Sequence, residues 1–393
     1  MKIKFFIITT SLCAVVGALF FASMVFASTT PFYYGVWLPF WQKQGGATDI
    51  SLHLDSLNEV SPFSYEIGSS GKLIDDLKIE SGNWDGWFSA MRDLKIKIIP
   101  TVAWFDGDGI YALLSKAKTR QAQEDMIKKL VVSEKFDGID IDYESMTSAT
   151  KPYFSLFIQG LAERLHPLKK MLACTIVPRT PLASLSFNPS TTTPKYAEDY
   201  SVLNKYCDEI RVMAYDQGPI DVKLDASKGN GTLYAPVADP DWVTKVLSTA
   251  LATISPKKIM LGIPTYGYEY EVSWSAGVTT YRRVRSFTFL EAMDRADSLG
   301  IEPTRNNAGE LSYAYATTTV VNVSAILTSN VSSTEPASVA SSSASGMNTL
   351  FVSFSDSQTA KNEIALAKKY GLRGTFLFKA DGQLDPATWD EMR

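Results

Sequence analysis

The chain has 393 residues, of which 45% are hydrophobic, 12% aromatic and 20% charged, with a formal net charge of -4. This balance supplies an ample core for a globular protein, and the near-neutral charge offers no electrostatic basis for nucleic-acid binding. Two histidines, His53 and His166, are too few for a histidine-rich zinc site and leave a Ser-His-Asp hydrolase no margin.

At the N-terminus, Lys2 and Lys4 precede an uncharged apolar run from Phe5 to Ala27, and Val25-Phe26-Ala27 fits the small-residue positions of a signal-peptidase site. The run is also long enough to span a bilayer, so residues 1–27 are expected to be a signal peptide or an uncleaved membrane anchor. On either reading the folded part, residues 28–393, is secreted or extracytoplasmic. Cys13 falls in the targeting segment, which leaves Cys174 and Cys207. The two can form one bridge, but a chain this large does not depend on it, and both lie in strand-like runs, so buried free thiols are the expectation.

From Phe32 onward, short β-rich runs alternate with helical ones. The strands are expected at Tyr33–Leu38, Glu59–Glu66, Lys97–Ala103, Gly138–Tyr143, Met171–Val177, Glu209–Tyr215, Ile259–Pro264 and Gly374–Phe378. Between them, Pro152–His166 repeats Phe154, Phe157, Ile158, Leu161 and Leu165 at helical spacing, and a second helix from Asp356 or Ser357 to Tyr370 is stopped by Gly371. Eight β/α alternations predict an α/β fold of the (β/α)8 TIM-barrel type, with its site at the C-terminal ends of the strands. The seventh and eighth strands are too far apart for a simple crossover. Thr288 and Glu291 fit a capping box, and the residues from Leu311 to Val323 alternate like strands, so a small α+β insertion is expected over residues 272–348. Its Ser-rich stretch, 328–347, reads as a flexible loop. A monomer is the default expectation.

The most informative stretch is FDGIDIDYES, residues 136–145. Ile139 and Ile141 alternate with Asp140, Asp142 and Glu144, the period-two pattern of a strand that places the three acids on one face. Like charges so close repel, so at least one acid should hold its proton near neutral pH, as a general acid must. A calcium or magnesium site is the rival, but the Gly-rich loop and acid ladder typical of such sites are missing from this stretch.

Asp137-Gly138-Ile139-Asp140-Ile141-Asp142-Tyr143-Glu144 resembles the DGxDxDxE signature of glycoside hydrolase family 18, the chitinase and chitinase-like family. Met213-Ala214-Tyr215-Asp216 is similar to the family's MxYD motif. Leu261-Gly262-Ile263-Pro264-Thr265-Tyr266-Gly267 is similar to its seventh strand, and Pro62-Phe63-Ser64-Tyr65 to the second strand of a branch with bacterial spore-cortex and cell-wall hydrolases. Two positions depart from the pattern. Phe378 stands where the family usually has a tryptophan flooring the catalytic subsite, and Pro100-Thr101-Val102-Ala103-Trp104 replaces the SxGG motif.

The resemblance implies a glycosidase that needs no metal or organic cofactor. Glu144 would protonate the leaving oxygen and then activate water, while the substrate's own 2-acetamido oxygen attacks the anomeric carbon. Asp142 would orient that acetamide, Asp140 would tune Asp142 by sharing a proton, and Tyr215 would hold the acetamide carbonyl. Met213, Asp216, Tyr266, Phe378, Trp37 and Tyr65 are the expected substrate-binding residues. The implied partner is a polysaccharide containing N-acetylglucosamine, either chitin-like or peptidoglycan. The alternative is a chitinase-like protein that binds carbohydrate without cleaving it.

Overall fold

The computed structural model describes residues 31–181, 184, 196–275, 278–321 and 344–393. The N-terminal segment 1–27 lies outside the described residues. Seven strands follow in sequence: β1 (Tyr33–Pro39), β2 (Glu59–Ile67), β3 (Thr101–Trp104), β4 (Gly138–Tyr143), β5 (Met171–Ile176), β6 (Glu209–Val212) and β7 (Ile259–Pro264). After an insertion the eighth barrel strand, β12 (Gly374–Phe378), pairs with β7 on one side and β1 on the other. All these pairings are parallel, and β1 also pairs with β2, so the sheet closes on itself. This is the expected (β/α)8 barrel.

The alternation in each strand sets the layers. Outward residues such as Ile139, Ile141 and Leu172 join the large core between the barrel and its helices, among them the helix Lys151–Leu165. Inside the barrel, Trp37, Phe63, Ala103, Met260 and Phe376 form a second apolar cluster. The helices lie close to their expected limits. Pro152 occupies the first turn of its helix, and Asp356 caps Ser357–Lys369.

Two strands are shorter than their sequences suggest. Pro100 interrupts the third, which splits into Lys97–Ile98 and β3. The sixth stops at Val212, where the Ala214 N–H turns back onto the Val212 carbonyl (2.8 Å) and Asp216 takes φ +63°. The Met213–Asp216 segment is therefore the turn leaving β6.

The insertion is an antiparallel sheet of β8 (Tyr266–Ser275), β9 (Val278–Thr288), β10 (Leu311–Val321) and β11 (Ala344–Phe354), in the order β9-β8-β11-β10, with the short strand Thr304–Arg305 beyond β10. Thr288 and Glu291 form the capping box of the helix Phe289–Ser298, which packs on this sheet. The sheet reaches past the expected limits of 272–348 at both ends. A single residue, Thr265, separates β7 from β8, so the strand pattern runs on and the sequence carries no boundary signal. Of the expected loop 328–347, residues 344–347 belong to β11, and the rest lies outside the described residues.

The expectation of free thiols is wrong. Cys174 on β5 and Cys207, just ahead of β6, form a disulfide with Cα atoms 6.2 Å apart, within bridging range. The parallel pairing of β5 and β6 places them side by side although 33 residues separate them.

Candidate active site

β4 carries the centre of the site. Ile139, Ile141 and Tyr143 point outward and are at most 2% exposed, so Asp140 and Asp142 face into the barrel and Glu144 stands at its rim. The chain then turns at Ser145, which takes φ +58°.

Asp140 lies deepest and is fully buried. Its carboxylate accepts hydrogen bonds from Thr101 (2.8 Å), Thr175 (2.9 Å) and Arg211 (2.9 Å). Arg211, on β6, is also completely buried and donates to Ser61 (2.8 Å), Glu209 (3.0 Å) and Glu59. Its guanidinium lies 4.0 Å from the Phe376 ring centre, and Arg373 makes a second bond to Glu209 (3.0 Å). These three acids push the Arg211 pKa upward against the cost of burial, so the cation is permanent. Glu59 is pushed up to about 8 by burial and by Glu209, against the pull of Arg211.

Asp142, one step nearer the rim, has a different environment. Oδ1 is buried and has no hydrogen-bond partner among the described residues. Burial above all, then the charges of Glu144 and Asp140, hold its carboxyl well above the ordinary aspartate range. No hydrogen bond joins Asp140 to Asp142 among the described residues. The charge of Asp140 is among those that raise Asp142. Glu144 is also raised, by burial first and then by the charges of Asp216 and Glu198.

The turn after β6 brings Tyr215 and Asp216 across from these acids. Burial and the neighbouring charges of Asp142, Asp216 and Glu144 push the Tyr215 hydroxyl pKa well up, so it remains a neutral donor. Its ring stacks on Phe378 (centroids 5.4 Å, interplanar angle 14°). Gly262 on β7 makes room for that ring, since a Cβ there would lie 2.8 Å from Tyr215 Cε1. Asp216 accepts hydrogen bonds from Tyr266 (2.5 Å) and Tyr268 (2.6 Å).

Asp142, Glu144, Met213, Tyr215, Asp216, Trp37 and Phe378 line one cavity of about 510 Å³ at the C-terminal end of the barrel. Its floor is composite. Trp37 lies edge-on to Phe378 (5.7 Å) and donates its indole N–H to Thr101 (3.2 Å), whose hydroxyl binds Asp140. Phe40, Trp41, Phe63, Phe105 and Ile220 add apolar walls. Among the described residues no cluster of three or more acids, histidines or cysteines is arranged to hold a metal, and the cation paired with Asp140 is Arg211.

Two expected binding residues lie elsewhere. Tyr65 packs in the outer core against Phe136 (6.3 Å), because an irregularity between Phe63 and Tyr65 in the β2–β3 pairing turns Phe63 and Glu66 towards the cavity instead. Tyr266 is 5% exposed and braces Asp216 from behind. Arg211, Thr175, Glu66 and Glu198 escaped the sequence reading. For Arg211 a signal existed, since Glu209-Ile210-Arg211-Val212 alternates charge with apolar residues as β4 does. Glu198 gave none. It accepts a hydrogen bond from Arg179 (2.7 Å), 19 residues earlier in the chain.

Comparison with known proteins decides the family. The model for glycosyl hydrolases family 18 matches residues 22–383. The chain belongs to this family. It is 27% identical over 168 residues to the uncharacterized glycosylase YvbX of Bacillus subtilis (strain 168), a match spanning 43% of this chain and 44% of that protein. The family 18 barrel also resembles the spore cortex-lytic enzyme SleL of Bacillus megaterium QM B1551, with a TM-score of 0.67 and 17% identity over 92% of this chain and 73% of that one. A chitinase from Chromobacterium violaceum ATCC 12472 superposes with a TM-score of 0.65 and 20% identity, over 92% of this chain and 98% of that one.

Proposed function

We propose that this family 18 chain is an exported glycoside hydrolase that cleaves β-linked glycans containing N-acetylglucosamine, with retention and with help from the substrate's acetamide. Glu144 is the acid and then the base. It stands at the rim of the cavity with a raised pKa, as a proton donor near neutral pH requires. Asp142 receives the acetamide. Its buried, unpartnered Oδ1 is an acceptor waiting for a donor, and the substrate's amide N–H supplies one. Tyr215, kept neutral, donates to the acetamide carbonyl, and Asp140 with Arg211 fixes the charge beneath Asp142. The resulting oxazolinium ion is positive, and the nearby carboxylates stabilise it.

The observation that carries this reading is the orphaned Asp142 oxygen facing Tyr215 across a cavity bordered by Glu144. Asp140, one step deeper on the same strand, is paired through Thr101, Thr175 and Arg211. Peptidoglycan is the first substrate to test, given the cortex-lytic protein among the structural relatives. The test treats the 28–393 chain with peptidoglycan and chitooligosaccharides and reads the products by mass spectrometry. New N-acetylglucosamine reducing ends that vanish in Glu144→Gln support the hydrolase. Binding without products supports the non-hydrolysing alternative. Export, whether by a cleaved signal or a retained anchor, is tested by N-terminal sequencing of the mature protein.

A further inference from the structure

A second cavity, also about 510 Å³, lies outside the barrel between the helix Lys43–Leu52 and the segment from Leu77 to Trp87. Two tryptophans, Trp84 and Trp87, form its wall with their centroids 5.3 Å apart. Their polar edges are committed to the protein. The Trp84 indole donates to the Leu77 carbonyl (3.1 Å) and the Trp87 indole to the Ser51 hydroxyl (3.0 Å), so what the half-buried rings offer the groove is apolar surface. Lys43 and Lys78 flank the rings with Gln44 and Thr48, and neither lysine forms an ion pair among the described residues. Aromatic surface set among hydrogen-bonding side chains suits the amphipathic face of a sugar ring, and two unpaired ammonium groups suit carboxylates carried on the same chain.

One short segment of chain borders both the groove and the cleft. Phe40 and Trp41 line the catalytic cavity, whereas Lys43 and Gln44, two residues further on, line the groove. Trp41, on the cleft side of that segment, is 47% exposed and set edge-on to Phe63 at 5.9 Å.

We propose that this groove is a second glycan-binding site, which holds a carboxylate-bearing stretch of the strand whose N-acetylated sugars occupy the cleft. The identity of that strand rests on the function proposed above. The groove adds affinity for polymer through multivalency, and a short oligosaccharide seated in the cleft gains nothing from it.

The test uses the full chain with Glu144→Gln for binding and the active chain for turnover. Two variants probe the groove, Trp87→Ala and the exposed pair Lys43→Glu with Lys78→Glu, the latter leaving the core untouched. Sedimentation with insoluble peptidoglycan should show affinity reduced about tenfold by Trp87→Ala and several-fold by the lysine pair. Hydrolysis of the N-acetylglucosamine tetramer should stay within about twofold of the parent. Chitin carries no carboxylates, so its binding should be insensitive to the lysine pair. Unchanged peptidoglycan binding in the lysine variant overturns the groove, as does an equal loss on polymer and tetramer. Because the binding assay needs no turnover, a parent chain that cleaves neither glycan refutes the hydrolase reading alone, and loss of binding in the lysine variant would still support the groove.

Discussion

The lower and upper halves of the barrel interior hold acidic side chains in opposite ways. Below, Glu59, Glu209 and Asp140 surround Arg211 and are bonded to it, with Arg373 closing the ring at Glu209. Above, Asp142 has an oxygen with no partner among the described residues, and Glu144 faces the cavity within reach of the charges of Asp216 and Glu198. Glu144 is only partly buried, but Asp142 is as buried as the lower acids, so desolvation alone does not distinguish it from them. What differs is the ion pair. The lower acids are bonded to Arg211 and hold the strands together, even though burial pushes Glu59 up to about 8, while Asp142 and Glu144 form no ion pair among the described residues and line the cavity.

The largest expected effect breaks the upper half. Glu144→Gln removes the proton donor and should lower kcat by about 10²–10⁴-fold with glycan binding retained. Turnover near the parent level would remove Glu144 from its assigned role. In the lower half, Arg211→Met leaves Asp140 and Glu59 without their cation and Glu209 with Arg373 alone, and should destabilise the fold by about 3–5 kcal/mol in urea unfolding. A smaller loss would mean that the acids take up protons easily and that the network is no more than filler.

The disulfide lies beside both halves and belongs to neither. Replacing Cys174 and Cys207 with alanine frees a loop of 33 residues and should cost about 3–4 kcal/mol of stability while kcat is unchanged. Any kcat loss beyond twofold or so would tie the bridge to the site.

A subtler probe is pH. Glu144 must be protonated to act, and its pKa is raised, so activity should persist above the ordinary glutamate range and fall as pH rises through the raised value. Asp216→Asn deletes one of the charges that raise it, and the descending limb of the kcat/KM profile should move to lower pH. A limb that stays in place would mean that burial alone sets the Glu144 pKa. Smallest of all, Phe378→Trp restores the usual family residue beside Trp37 and Tyr215. It should tighten oligosaccharide binding by no more than about tenfold, read as a change in KM, because Trp37 already supplies part of the floor.

Much of the site is legible in the strands themselves. The alternation of Ile139 and Ile141 with Asp140 and Asp142 fixes the face of each acid, since period two is a property of extended backbone. Met213–Asp216 is readable as a motif, although not as a turn, because the left-handed conformation at Asp216 leaves no mark in the residue types. Tyr65 misleads for a related reason. A single irregularity in β2 pairing reverses the alternation, and Phe63 and Glu66 take the positions at the cavity.

What the sequence determines alone is therefore local: the eight strands, their inward faces, the capping box at Thr288 and the order of acids along β4. Partnership is decided only when the barrel closes. Arg211 meets Asp140, 71 residues away, and Glu59, 152 residues away, and Cys174 meets Cys207 across adjacent strands. The charge state of a buried acid depends on which cation lies within a few ångströms of it, and strand pairing sets that distance. Asp140 and Asp142 stand two residues apart with the same side chain, and the fold alone gives one three hydrogen-bond partners and leaves the other with an oxygen that has none among the described residues.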